Sequence, residues 1–110
     1  MRVVWSPRAL ERIADIANHI AEDRPDTAVR WVEGLFDAAK SLADFPHRGR
    51  RVPELNRPEY RELLYRRYRV IYRVSGQRVN IVTVRHGRQH LDSTSVDDAD
   101  LASPVGAGRR

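Results

Sequence analysis

The sequence predicts an α+β domain, with a helix hairpin packed on one face of a mainly antiparallel sheet in the order β-α-α-β-β-β. Three observations carry this. Two consecutive segments repeat apolar residues at spacings of three and four, a very short Pro-containing connection joins them, and three β-prone runs follow in the second half.

The elements follow in order. Residues 2 to 5 (Arg-Val-Val-Trp) are short and β-prone, and Ser6-Pro7 reads as an N-cap with proline at the first helical position. Leu10, Ile13, Ala14, Ala17, Ile20 and Ala21 then share one helical face, while Arg8, Glu11, Arg12, Asp15 and Glu22 fill the other, giving a helix to about Asp23. Pro25 and Asp26 open a second helix, whose stripe is Ala28, Val32, Leu35, Phe36, Ala39 and Leu42. Trp31 falls at helical spacing and reads as packing within the hairpin; Trp5 reads as core. Phe45-Pro46-His47-Arg48-Gly49-Arg50-Arg51-Val52-Pro53 breaks the helix, and the chain stays irregular to about Pro58 as a basic loop. Strands are expected at Arg61 to Tyr65, Tyr68 to Val74 and Val79 to His86, the last two joined by a two-residue type II′ turn at Gly76-Gln77. Residues 1 to 88 form one domain in this reading; 89 to 110, rich in Asp, Ser, Ala and Gly without periodicity, form a flexible tail.

Composition narrows the function. There is no cysteine, so disulfides, thiol catalysis and cysteine-based zinc sites are excluded. No apolar run approaches the roughly 18 residues of a membrane span, and the N-terminal segment lacks the apolar core of a secretory signal, so a cytoplasmic protein is expected. Neither a phosphate-cradling glycine loop nor a serine nucleophile elbow occurs, and no cofactor or metal is expected. Of the 20 basic residues, 19 are arginine, which suits bidentate contact with phosphate or carboxylate and is also what a GC-rich genome produces. They are concentrated centrally: residues 45 to 90 hold 12 basic and 3 acidic side chains, whereas 1 to 44 hold 6 and 8. A basic block of this kind implies an anionic partner.

If Ser75 pairs with Arg78, the last hairpin puts Val74 opposite Val79, Tyr72 opposite Ile81, Val70 opposite Thr83 and Tyr68 opposite Arg85 on the core side. The other face then carries Arg73 with Asn80, Ile71 with Val82, Arg69 with Val84 and Arg67 with His86. In this register Arg67, Arg69 and His86 gather at one end of one face. Arg69 can equally be a structural cation paired with Glu62.

The layout of a strand, a helix hairpin, the loop FPHRGRRVPEL, then RELLYRRYRVIYRV and VNIVTVRHGR resembles the ParE/RelE superfamily of toxins from type II toxin–antitoxin systems, over about residues 1 to 90. The resemblance implies a small toxin neutralised by a cognate antitoxin whose C-terminal segment wraps it. Two activities occur in the superfamily: ParE-like inhibition of DNA gyrase, and RelE-like cleavage of mRNA on the ribosome. The nuclease reading would use Glu54 as base, Arg69 as phosphate clamp and His86 as acid, since metal-free ribonuclease chemistry needs all three roles. Against it, Lys40 is the only lysine, and no tyrosine, tryptophan or phenylalanine follows His86 to stack on a base. The Arg85-His86-Gly87-Arg88 string looks closer to the ParE branch. The expected reading is therefore a gyrase inhibitor acting by binding, with target or antitoxin contacts at Arg48, Arg50, Arg51, Arg67, Arg69, Ile71, Arg73, Val82, His86 and Arg88; besides the nuclease, a second alternative is a non-toxic basic nucleic-acid-binding module.

Overall fold

A computed structural model describes residues 1–88; residues 89–110, where the sequence puts a flexible tail, lie outside the described residues. The elements are β1 (Arg2–Trp5), α1 (Pro7–Ala21), α2 (Pro25–Lys40) with a 3₁₀ turn at Ser41–Ala43, β2 (Arg50–Arg51), β3 (Tyr60–Tyr65), β4 (Tyr68–Ser75) and β5 (Arg78–His86). The sheet order is β1-β5-β4-β3-β2, with β1 parallel to β5 and the other neighbours antiparallel. The α+β architecture is the one the apolar periodicities predict, and the strand within the basic loop is an addition to it.

Local chemistry accounts for the boundaries. Ser6 caps α1: its Oγ accepts from the Ala9 backbone N–H at 3.0 Å, and Pro7 at the first position has no N–H to leave orphaned. Gly76 has φ +59°, as the first central residue of a type II′ turn requires, and Ser75 pairs with Arg78 as the sequence predicts. The Arg66-Arg67 turn between β3 and β4 is less comfortable, since Arg66 takes φ +54° in the left-handed region that glycine prefers.

Two apolar clusters form, one on each face of the sheet. On the helix side, Ala9, Ile13, Trp31, Leu35, Ala39 and Leu42 pack on Leu63, Val70, Tyr72, Val79, Ile81 and Val84. Leu35 and Leu42 are wholly buried, and truncating either to alanine would cost about 2–5 kcal/mol. Trp31 lies against Tyr65 and Tyr68, so it joins helix to sheet, in place of the expected packing within the hairpin. On the opposite face Val52, Tyr60, Ile71 and Val82 form a second cluster with Leu55, supplied by the segment that follows β2.

The hairpin of β4 and β5 departs from the predicted register beyond Tyr72. Val74 faces Val79 and Tyr72 faces Ile81, but Ile71 faces Thr83, Val70 faces Val84, Arg69 faces Arg85 and Tyr68 faces His86. One extra residue, Val82, is accommodated in β5 as a bulge. The backbone shows why: the successive carbonyls of Ile81 and Val82 both reach Ser6, accepting from its N–H at 3.0 Å and its Oγ–H at 2.7 Å. In a regular strand such carbonyls would point to opposite neighbours.

Candidate functional site

The bulge separates the residues that the sequence register brings together. Arg69 stays on the face opposite the helices, opposite Arg85, whereas His86 moves beside Tyr68 on the helix side. The predicted Arg67/Arg69/His86 constellation is thus not assembled. His86 is exposed, its ring T-shaped to Tyr68 with centroids 5.5 Å apart, and its Nδ1 accepts from the Arg88 backbone N–H at 3.2 Å.

Arg69 is instead the centre of a buried ion-pair network. It donates from Nη1 and Nη2 to the two Glu54 oxygens at 2.8 and 2.7 Å, and from Nε to Glu62 Oε1 at 2.6 Å. Its side chain is 4% exposed and that of Glu62 is fully buried, while Glu54 retains 17% exposure. Arg50 Nε closes the network onto the second Glu62 oxygen from a largely exposed position. The hydrogen bonds from Arg69 to Glu54, then those to Glu62, raise the Arg69 guanidinium pKa against the opposing effect of burial, so its charge is fixed. Glu54 and Arg69 do meet, as the nuclease reading asks, but each is engaged by the other.

The basic loop is pinned to the sheet by Tyr72, which the sequence puts on the core side, and by Arg61 at the start of a predicted strand. Tyr72 Oη donates to the Pro46 carbonyl at 2.8 Å and accepts from the Gly49 N–H at 2.9 Å, and Arg61 Nη1 donates to the Gly49 carbonyl at 2.7 Å. A Cβ at Gly49 would come within 2.5 Å of the Glu62 carbonyl oxygen, so this close approach of loop to strand requires glycine. Burial pushes the Tyr72 phenol pKa up. Along the loop, Arg48 donates to Ser41 Oγ at 2.7 Å, Arg50 is held by Glu62, and Arg51 is exposed.

Three further expectations need correction. Ile71 and Val82 are 0% and 2% exposed beneath Val52, Leu55 and Tyr60, so they do not form an open apolar row for a partner chain. Arg69, at 3% exposed, presents almost no surface in the folded chain either. Arg67 and Arg73 are separated along β4 by roughly 20 Å of extended chain with Arg69 and Ile71 buried between them, so the arginine face is not one patch.

The exposed cations collect elsewhere. Arg50, Arg66, Arg67 and Arg88 surround an open cleft of about 530 Å³ at the end of the sheet, with Leu64, Tyr68 and His86 between them. Gly87 shuts the end of β5 against the β3–β4 turn, its N–H donating to the Arg67 carbonyl at 2.6 Å. Arg66, Leu64 and Tyr68 escaped sequence reasoning as site residues; the signal for them is the Tyr65-Arg66-Arg67-Tyr68 string, which puts two arginines at a two-residue turn. No group of three or more residues able to hold a metal occurs among the described residues, and no helix there is long and apolar enough to cross a membrane.

Comparison with known proteins agrees with this architecture. Residues 3–91 match the model of the ParE toxin of the type II toxin–antitoxin system parDE. The chain is 37% identical over 92 residues to Y4kP of Sinorhizobium fredii, covering 80% of this chain and 90% of that protein. It is 38% identical over 86 residues to Toxin RelE2 of Caulobacter vibrioides, covering 77% and 93%. In fold it is similar to a chain of the chromosomal ParDE TA system from P. aeruginosa, with TM-score 0.67, 24% identity, and coverage of 78% of this chain and 95% of that one. The family match over most of the described fold, with relatives similar over nearly their whole length, shows that this chain belongs to the ParE toxin family of type II toxin–antitoxin systems.

Proposed function

We propose that the chain acts by binding, as a ParE-like inhibitor of DNA gyrase in the cytoplasm, and that a cognate antitoxin neutralises it. Membership of the ParE family supports the direction of this reading. The observation that carries the choice of binding over nuclease chemistry is the Glu54–Arg69–Glu62 network. A general base must have an oxygen free to take the 2′-hydroxyl proton, and a phosphate clamp must have a free guanidinium edge. Glu54 has both oxygens on Arg69, and Arg69 is buried with Nε, Nη1 and Nη2 all committed to carboxylates. His86, the third member of the nuclease set, is on the other side of the sheet.

In this reading the antitoxin is met by exposed cations, Arg48, Arg51, Arg67 and Arg88 foremost, while Arg69, Ile71 and Val82 serve the fold. Brief induction in bacteria with parallel labelling of DNA and protein tests the target. Prompt loss of thymidine incorporation with translation continuing, together with inhibition of purified gyrase supercoiling, is the expected result. Prompt loss of amino-acid incorporation, abolished by His86→Ala, would replace it with the ribosome-dependent nuclease reading, acting on ribosome and mRNA.

A further inference from the structure

The cleft at the end of the sheet gathers Arg67 and Arg88, given above to the antitoxin, with Arg66 and Arg50 around one opening. We propose that it is a binding site for the phosphate backbone of a single nucleic-acid strand, occupied without help from gyrase or the ribosome. It goes beyond the gyrase reading and stands or falls separately from it.

Charge is the first argument. Four arginines and no carboxylate line the cleft. Arg67 and Arg88 are exposed and make no ion pair among the described residues. Cations that converge on one opening repel each other until an anion enters, and guanidinium groups match the paired oxygens of a phosphate.

Backbone strain is the second argument. Arg66 sits at the tip of the turn with φ +54°, a conformation glycine takes freely and a long side chain does not. The strained residue carries a cation to the cleft, with its guanidinium 5.4 Å from the centre of the Tyr65 ring. The turn is fixed from behind by the Gly87 to Arg67 hydrogen bond, so the arginines are presented on a closed frame.

The apolar content of the cleft selects the strand. Leu64 is 58% exposed among the arginines, and Tyr68 and the exposed His86 ring line the same cleft. Alternation of cations with apolar and aromatic surface suits a single strand, whose unstacked bases need such a surface, better than a duplex. An extended acidic peptide gains most from pairing its backbone along a sheet edge. This cleft crosses strand ends, and only the two-residue β2 borders it as an edge strand.

The test is fluorescence anisotropy of a labelled oligonucleotide of about 12 bases with the full chain, titrated between about 50 and 200 mM salt. With about three phosphate contacts, from Arg66, Arg67 and Arg88 while Arg50 stays on Glu62, the log–log salt slope should be about −2.1, an affinity loss of about 18-fold over that range. Arg67→Glu with Arg88→Glu should flatten the slope to about −0.7 or less and weaken binding at least about tenfold at the lower salt. Arg66→Gly should weaken binding and flatten the slope by about 0.7 without lowering the thermal unfolding midpoint, which separates lost contact from lost fold. Lys40→Glu, exposed at the C-terminal end of α2 and outside the cleft lining, should leave binding unchanged. Absence of binding at low salt, an equal loss with Lys40→Glu, or indifference to Arg67→Glu/Arg88→Glu would overturn the proposal. Equal competition by polyglutamate of the same charge would overturn it in favour of an acidic protein segment, and tighter binding of a duplex would overturn the single-strand assignment.

Discussion

Replacing Arg69 by methionine removes the cation at the centre of the buried network while keeping a side chain of similar length. Glu62, with no exposed side-chain surface, would be left with Arg50 alone, whose side chain is 60% exposed. Glu54, 17% exposed, could turn toward water. Removing one partner from a buried ion pair costs about 3–5 kcal/mol, mostly for the charge left behind. A domain of this size is stable by about 5–10 kcal/mol, so Arg69→Met should forfeit about half its stability and lower the unfolding midpoint by on the order of 20 °C. Urea denaturation at neutral pH, followed by circular dichroism, measures the loss directly. Adding Glu62→Leu should recover at least about 2 kcal/mol, because the stranded carboxylate goes with it. Glu54→Gln, at the more exposed arm, should cost only about 1 kcal/mol. A loss below about 1 kcal/mol for Arg69→Met, or a double variant no more stable than the single one, would refute the account of this network. Arg69→Glu, which puts a third carboxylate into the same site, should unfold the domain, so its effect on antitoxin affinity would report folding and not contact.

Two other perturbations probe how the loop and the bulge are held. The Tyr72 phenol is pushed above its ordinary pKa by burial, so it keeps its proton in the folded chain after unfolded tyrosine has ionised near pH 10. Its contribution is whole below that pH and is lost as pH rises through the folded value. Tyr72→Phe should cost about 2 kcal/mol at neutral pH, for the bonds to Pro46 and Gly49, and should flatten the fall in urea stability above pH 10; an identical fall in both chains would contradict this. Ser6→Ala removes both the α1 cap and the donor to the Val82 carbonyl, and should cost about 2 kcal/mol by the same measurement; a cost below about 0.5 kcal/mol would mean that the bulge holds without it.

Most of the fold is legible in the sequence because its signals are local. Apolar spacing of three and four marks α1 and α2, Ser6-Pro7 and Pro25 mark their starts, and Gly76 marks the last turn. The two residues of β2 are not legible, since they pair with β3 across an irregular loop and have no alternation of their own. Nor is the second apolar cluster: Val52 and Leu55 read as loop residues, and only tertiary contact puts them over Ile71 and Val82. The pairing of Arg69 with Glu62 is foreseeable as an alternative from charge and strand order, but Glu54 as its second partner depends on where the loop crosses the sheet.

A single inserted residue explains why the candidate site could not be read by counting. Strand faces alternate with period two, so a correct register at Ser75 and Arg78 predicts every later face only while the ladder stays regular. The bulge at Val82 exchanges the faces from Thr83 onward, which withdraws His86 from Arg69 and brings it beside Tyr68. Its cause lies far away in sequence, in the two groups of Ser6 that claim the Ile81 and Val82 carbonyls. The same serine starts α1, so the contact that caps the helix also selects which face the end of β5 presents. Arg69 meets Glu62 through the regular β3–β4 ladder and Glu54 through the loop, independently of the bulge, and burial makes that network structural. The Arg88 end of β5 meanwhile closes against the Arg66-Arg67 turn, and the exposed cations of the hairpin converge there. One serine thus both caps α1 and holds the bulged carbonyl beyond which His86 lies on the face away from Arg69.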